Sequence, residues 1–375
     1  PQKSRPVPMK ILITYQAQTD SDNPFVRTLA RELVAIGYDV SCSVTRFWQA
    51  AEQYNVIHVQ WPEELFRWQN PTDAQLAELE QLFARLHAKG TPILYTRHNV
   101  QPHYGDPQVV KAYRLVEQYA DVIVHLGKYS QTEFLATHPA SEQRHVIIPH
   151  HIYDQSYDLS LAREECRRQL HIPNDRFVIL AFGAFRHNAE RRLVWRAFRA
   201  FPHKNKYLLA PRLLPFAEQP PSYFSWKKRL LSRIGYYVTR LISRWLACRV
   251  VAENELVSQE ELPIYLNACD VVFIQRTELL NSGNLPLGLL FGKVIVGPDC
   301  GNIKEMLVET GNPVFDSHQP TSVDRALAEA YRLAATDKGA QNKAYALLHL
   351  SVRHIAEMYG TCYDQLFKTT THAGE

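Results

Sequence analysis

Short apolar runs recur along the chain, each bounded by polar or turn-forming residues. Lys10–Tyr15, Asp39–Val44, Val56–Gln60, Ile93–Thr96, Val122–His125 and His145–Ile148 read as strands, most of them apolar enough to be buried on both faces. Between them lie longer stretches with helical spacing: Pro24 to about Ile36, Ala74–Ala88 and Pro107–Tyr119. The first has a proline in its opening turn and Gly37 just past its end, the usual asymmetry of helix termini. Asp154–Asp175 reads as a link, after which the alternation resumes. Strands are predicted at Phe177–Phe182, Tyr207–Ala210, Val250–Ala252, Val271–Ile274, Val294–Val296 and Pro313–Phe315. Helices are predicted up to about Phe201, from Ser258, and over Leu285–Phe291, Thr321–Ala335 and His349–Phe367. Such alternation with short links implies α/β architecture, with parallel sheets covered on both faces. Ligands then collect at the carboxyl ends of the strands.

Composition narrows the class. The 375 residues leave room for two ordinary domains. Apolar content of 46% and charged content of 21% are those of a soluble globular protein. A net charge of +4 is too small to imply nucleic acid by itself. Cys42, Cys166, Cys248, Cys269, Cys300 and Cys362 are scattered, with no CxxC and no Cys/His cluster. That argues against a structural zinc and for a reducing, cytoplasmic compartment. No segment has the apolar length of a membrane span, and no signal peptide opens the sequence. Residues 1–8 are proline-rich and polar and read as a flexible extension. The loop Gln16–Asn23 after the first strand carries no glycine, so neither a GxGxxG nor a Walker A loop is present there.

The densest candidate chemistry lies between Asp270 and Met306. A buried strand leads into a polar loop that ends Asn281-Ser282-Gly283-Asn284, followed by an apolar helix and a second strand. Five of the fifteen glycines fall between Gly283 and Gly301. Small polar residues at a helix start leave backbone N–H groups pointing outward, which suits a phosphate or diphosphate. The same residues also make an ordinary helix cap, and most capped helices bind nothing.

This arrangement resembles the C-terminal donor site of GT-B glycosyltransferases, above all the large family four. In that family the segment reads as a Glu-rich loop, an apolar helix, Gly-Lys-Pro-Val and a Gly-Gly-x-x-Glu turn. Gly292-Lys293-Val294-Ile295 and Gly301-Asn302-Ile303-Lys304-Glu305 stand in those places. Ser282-Gly283-Asn284 looks like the Ser-Gly-Ser-type loop of some bacterial polysaccharide transferases. Gly183-Ala184-Phe185-Arg186 resembles the start of the family's Gly-x-Ile-Arg-Pro-Tyr-Lys-Gly, whose basic residues hold the donor diphosphate. Arg186 keeps the arginine, whereas the lysine position is Ala189, with Arg191 or Arg192 as substitutes a turn further on. Glu253-Asn254-Glu255 falls where relatives hold the nucleotide base. The family's two glutamates fall on Leu279 and Leu287, with Glu278 one residue out of step.

The resemblance implies two Rossmann-like, doubly wound parallel-sheet domains with an interdomain cleft. Residues 9–154 would take the acceptor and residues 155–348 the donor. Residues 349–375 would form a helix crossing back to the N-terminal domain. The donor would be a nucleotide-diphosphate sugar used as co-substrate, with no cofactor and no metal. Arg186, Asn281, Ser282, Gly283 and Asn284 would hold its diphosphate, with Glu253 and Glu305 as further contacts.

The N-terminal strand ends carry Gln60-Trp61-Pro62-Glu63-Glu64, the run from Thr96 to His103, and Pro149-His150-His151-Ile152-Tyr153. These loops look like the acceptor half of the same enzymes. A lone histidine in such a loop is most often just hydrogen-bonded in place, but three such loops at successive strand ends point to a cleft. Trp61, Asn99, His103 and His150 are the acceptor-binding candidates, and the acceptor would be a growing, lipid-linked glycan. With both family glutamates absent, two stereochemical routes stay open. Inversion needs a base near the attacking hydroxyl. His98 is the first choice for its neutral-range pKa, Glu63 the second, and Asp20 and Asp22 lie in the first loop. Retention would use a phosphate oxygen of the donor. A different class also fits: a GT-B protein that has lost catalysis and serves as a glycan-binding or assembly subunit. A non-hydrolysing sugar epimerase shares the fold, but no matching set of carboxylates and histidines is present.

From Gln219 to Ala252 there is no acidic residue. If Trp226–Arg249 is helical, Arg229, Arg233, Arg240 and Arg244 form one stripe. Leu230, Leu231, Ile234, Val238, Leu241, Ile242 and Trp245 fill the other side. This is the pattern of a helix lying in an anionic membrane interface, which would make the protein peripheral on the inner face of the cell membrane. It is equally the pattern of a helix packed on its own domain with a solvated basic face.

Overall fold

The computed structural model describes residues 8–16, 24–100, 102, 106–214, 216–250 and 257–372. The chain divides into two compact units, Pro1–Gln155 with Leu350–Glu375, and Ser156–His349. The first unit begins with β1 (Lys10–Thr14), α1 (Phe25–Ala35), β2 (Asp39–Cys42), α2 (Val44–Ala50) and β3 (Val56–Val59). It continues with α3 (Asp73–Ala88), β4 (Ile93–Arg97), α4 (Pro107–Tyr119), β5 (Val122–His125), α5 (Lys128–Thr137) and β6 (Arg144–Ile147). The second unit opens with α6 (Arg163–Gln169), β7 (Phe177–Leu180), α7 (Asn188–Ala200), β8 (Lys206–Leu209), α8 (Trp226–Trp245) and β9 (Cys248–Arg249). After these come α9 (Leu262–Ala268), β10 (Val271–Phe273), α10 (Asn284–Leu290), β11 (Val294–Pro298) and α11 (Gly301–Glu309). β12 (Val314–Phe315), α12 (Pro320–Ala334) and α13 (Lys338–His349) complete it, and α14 (Val352–His372) belongs to the first unit.

Each unit holds a six-stranded sheet, ordered β2-β1-β3-β4-β5-β6 in the first and β12-β11-β10-β7-β8-β9 in the second. Neighbouring strands run parallel throughout, for example Ile11 opposite Val56 and Val271 opposite Ile179. Strand order reverses between β1 and β3 in one sheet and between β7 and β10 in the other. These are the topological switch points at which ligands of doubly wound sheets collect. The expected α/β fold with two Rossmann-like parallel-sheet domains is present.

Local chemistry explains the helices that frame these points. Thr72 and Gln75 form a reciprocal capping box that starts α3. Leu76, Leu79, Phe83 and Leu86 then recur at three- and four-residue spacing and bury against the sheet core. α14 packs on α1 and inserts Tyr359 and Tyr363, both fully buried. Each such aromatic contributes roughly 1.5–3 kcal/mol through its apolar surface. Tyr38 donates to Asp364 at 2.9 Å, and Arg353 pairs with Glu32 at 3.1 Å.

One strand differs from expectation. The third strand of the second series is Cys248–Arg249, earlier than Val250–Ala252, because Leu208 donates to Ala247 O and Ala210 to Arg249 O. Of the predicted strand, residues 251 and 252 lie outside the described residues.

Candidate active site

The second switch point is built from the loops after β7 and β10. Gly183 follows β7 at φ +86°, and Glu190 closes the turn behind it, its Oε2 accepting the Arg186 N–H at 2.7 Å. Two amides from the β10 side tie onto this turn. Gln275 Nε2 and Asn284 Nδ2 each donate to Phe182 O at 3.0 Å. Further along, Asn302 Nδ2 donates to Asn281 Oδ1 at 2.8 Å, and the Asn302 N–H to Leu280 O at 2.9 Å. Gly301, at φ +53°, lets the chain pass there, since a Cβ would collide with the Leu279 and Leu280 carbonyl oxygens. Asn281, Ser282, Gly283 and Asn284 all remain half-exposed around this frame. The loop expected to hold a diphosphate therefore lies against the Gly183–Arg186 turn. The helix behind it, α10, is only seven residues long, so its dipole is a small part of any anion affinity.

The charge comes from two arginines. Arg186 stands exposed after β7. Arg276, half-buried after the adjacent strand β10, has its guanidinium pushed down to about 10. Burial is the main cause, the Arg186 charge adds to it, and Glu190 opposes both. Two cations that repel each other are stabilised by an anion placed between them. Arg276 was not among the sequence candidates, although it carries the same signal as Arg186: a basic residue just beyond a buried strand. Arg191 and Arg192 point elsewhere. Arg191 Nε donates to Leu213 O at 2.9 Å and its guanidinium lies over Phe185, while Arg192 sits on the exposed side of α7. Glu305 is half-buried on α11, near enough to Tyr345 on α13 for its charge to be felt there. Leu287, in place of a family glutamate, is buried in the core. Glu253 lies outside the described residues.

The first unit furnishes its strand ends with rings. His98, 8% exposed, stacks on Trp61 with centroids 4.1 Å apart. Phe25, at the start of α1, meets His98 edge-on at 5.2 Å and His150 at 4.6 Å. Trp61, His98 and His150 are thus brought together. His98 Nε2 bonds Gln60 Oε1 at 2.8 Å, and Gln60 Nε2 bonds His58 Nε2 at 2.8 Å. His58 Nδ1 reaches Tyr363 OH at 2.7 Å. With the Gln60 amide so oriented, His98 carries its proton on Nε2, which puts the basic lone pair on Nδ1. Gln60 and His58 have no solvent exposure, and burial pushes His58 down to about 3. His150 keeps some surface open, but both ring nitrogens are engaged, Nδ1 with His151 O at 2.7 Å and Nε2 with Tyr153 OH at 3.4 Å. Burial pushes it too to about 3, so it stays neutral.

Glu63, the second candidate base, is buried and accepts from Tyr113 OH at 2.8 Å, which ties the turn after β3 to α4. Asn99 is half-buried and also bonds Tyr113. His103, Asp20 and Asp22 lie outside the described residues. Gln60 and Tyr363 were legible only as polar residues next to apolar ones. Among the described residues no group of three His, Cys, Asp or Glu side chains is placed to hold a metal.

The long helix of the second unit answers a question the sequence left open. α8 sits on its own unit by a narrow stripe of Ser232, Tyr236, Thr239 and Ser243. Gly235 allows the closest approach, since a Cβ there would lie 2.6 Å from the Phe216 ring. The apolar arc faces away: Leu241 is 68% exposed, and the end residues Trp226 and Trp245 are 71% and 87% exposed. Most of the arc is therefore left uncovered by its own unit. Arg229, Arg233 and Arg240 flank it, exposed, whereas the Arg244 side chain is outside the description. No helix among the described residues is long and apolar enough to cross a membrane.

Two doubly wound parallel sheets, each with its candidate site at the strand-order reversal, define the GT-B fold. No protein-family model and no curated protein matches the sequence. Solved structures match over nearly the whole chain. A sucrose-phosphate synthase from Thermosynechococcus elongatus is 15% identical, with 97% of this chain and 100% of that one covered and a TM-score of 0.68. Anabaena HepE in complex with UDP is 15% identical, over 95% of this chain and 100% of that one, with a TM-score of 0.63. A protein described as a UDP-N-acetylglucosamine 2-epimerase from Listeria monocytogenes is 13% identical, over 97% and 98%, with a TM-score of 0.56. At these identities the likeness is one of fold.

Proposed function

We propose that the protein is a glycosyltransferase that moves a sugar from a nucleotide-diphosphate sugar to a glycan acceptor carried on a lipid. The observation that carries this reading is the Arg186–Arg276 pair beside the Asn281–Asn284 loop, at the switch point of the second sheet. Negative charge develops on the departing nucleotide diphosphate as the glycosidic bond breaks. Two guanidiniums and the loop amides meet that charge, so the reading needs no metal. HepE, which shares the fold, is solved in complex with UDP and with UDP-glucose, which supports a nucleotide-sugar donor.

On the acceptor side His98 is the proposed base, with Trp61 as the platform on which a sugar ring stacks. Deprotonation of the attacking hydroxyl by Nδ1 leads to inversion at the anomeric carbon. The outward apolar arc of α8, with exposed tryptophans at both ends and flanking arginines, supports peripheral attachment to an anionic membrane, and hence a lipid-linked acceptor on the cytoplasmic side.

Incubation with UDP- and GDP-sugars plus membrane lipid extract tests the reading. Release of the nucleotide diphosphate, dependent on lipid, is expected, and the product's anomeric proton coupling should be opposite to the donor's. Retained configuration overturns the role of His98. Nucleotide-sugar binding without transfer favours the second reading, a degenerate GT-B assembly subunit, which rests on Leu279, Leu287 and Ala189 standing where the family has glutamates and lysine.

A further inference from the structure

α7 and α8 leave a groove of about 420 Å³ between them, floored by the ends of β8 and β9. This is within the usual range of small-ligand pockets, roughly 300–1,000 Å³. Trp195 from α7, Ile242 and Leu246 from α8, and Leu213, Leu214 and Val250 below give it apolar walls. No acidic side chain lines it, and Arg191 and Arg192 stand on its α7 rim. Arg192 and Trp195 also line a wider, open depression along α7, where Arg196, paired with Asp324, and Arg199 add positive charge. On its other side the groove runs into the exposed arc of α8, since Ile242 and Leu246 are each about half exposed.

We infer that the groove takes one hydrocarbon chain of an anionic, phosphate-headed lipid, the chain between α7 and α8 and the head against Arg192 and Arg199. An apolar slot without acidic residues, continuous with a basic rim, matches an amphiphile with an anionic head. A free phosphate would leave the slot empty, and a cationic amphiphile would meet the arginines. The inference rests on the peripheral-membrane reading but concerns a single bound molecule, not adsorption to a surface. It places a specific lipid within the same unit as the Gly183–Glu190 turn, since Arg191 belongs both to the groove and, through Phe185, to that turn.

The test uses the full chain with Trp226→Phe and Trp245→Phe, and bromine-labelled decyl phosphate kept below its micelle concentration. Saturable quenching of Trp195 is expected, at least tenfold tighter than for bromine-labelled decyltrimethylammonium and absent with Trp195→Phe. Inorganic phosphate should not displace the probe; displacement by it would show a phosphate site and overturn the lipid assignment. Thr239→Trp and Leu214→Trp, each filling the groove from one wall, should weaken binding at least tenfold by calorimetry while UDP still binds. Undiminished binding in both overturns the inference. Leu231→Ser with Leu241→Ser should abolish sedimentation with anionic vesicles yet leave decyl phosphate binding unchanged. Vesicle binding without decyl phosphate binding defeats the groove and leaves the membrane reading intact. The opposite pattern defeats the membrane reading alone.

Discussion

At the strand ends of the first unit, Trp61 and His98 stack while Phe25 meets His98 and His150 at an angle, and His98 Nε2 is tied through Gln60 and His58 to the buried Tyr363. At the strand ends of the second, backbone carbonyls are gathered by Gln275 and Asn284, and Arg186 and Arg276 follow the two adjacent strands, near enough to feel each other's charge. Both sheets reverse strand order at the point in question, so topology supplies a place in each and leaves the chemistry to the loops. The first place is aromatic and largely desolvated, which suits a sugar ring and a proton. The second is polar and cationic, which suits a diphosphate. On the proposed reading, a single fold repeated twice separates acceptor chemistry from donor chemistry.

The sharpest way to break this division is at His98. His98→Ala is expected to lower kcat by about 10²–10⁴-fold, the usual worth of a general base, with little change in nucleotide affinity. A loss confined to nucleotide binding would erase the distinction between the units. Next in size is Arg276→Gln. Removing a charged hydrogen-bonding partner of the diphosphate should weaken nucleotide binding about tenfold or more by calorimetry, with the acceptor KM unmoved. Gly283→Val, which crowds the loop amides, should act in the same direction, and unchanged affinity in both variants would remove the diphosphate from this loop.

A smaller effect is expected from Gln60→Leu. It removes the buried Gln60 bonds to His98 Nε2 and to His58 Nε2, which keeps its Thr96 Oγ1 bond, and costs about 1 kcal/mol of first-unit stability. It also releases the His98 tautomer, so the pH profile of kcat should shift while the donor KM stays put. An unshifted profile would make Gln60 a packing residue only. Smallest at neutral pH is the acid response. His58, His125 and His150 are each held near 3 by burial, below the ordinary 6.5, so the folded first unit favours their neutral forms. Their contribution is complete above about pH 6.5 and is lost as pH falls from there toward 3. Hydrogen exchange should therefore show first-unit peptides loosening between pH 6 and 4, and His58→Gln should reduce that sensitivity.

Much of the architecture was legible because buried parallel strands are nearly pure apolar runs. Val122–His125 and Pro107–Tyr119 fall where the residue pattern put them. α2 and α5 were not predicted, since Val44–Ala50 is short and Lys128–Thr137 has almost no segregation of apolar residues to one side. α6 hid in what read as a link, although Arg167 anchors it to Ala268 O and Asp270. In the sites, residues next to a strand end on their own chain were found, as with Arg186 and His98. Partners supplied by a different strand or a distant helix were not: Arg276 joins Arg186 only because β10 lies beside β7, and Tyr363 reaches His58 across 305 positions of sequence. The face that α8 turns outward was equally beyond the wheel pattern, which orders residues around a helix but does not say which side the rest of the chain covers.

The membership of α14 in the first unit constrains how the protein is made. Ser156–His349 emerges from the ribosome as one uninterrupted stretch and holds every strand of its own sheet. The earlier-synthesised stretch must wait, because the Tyr359 and Tyr363 hydroxyls that engage Thr96 and His58, and the surface that covers α1, are translated only after the second unit. During that interval the apolar side of α1 and two buried polar groups stand open to water. On stalled nascent chains ending before Val352, protease protection should therefore appear first over the second unit, in the reverse of the order of synthesis.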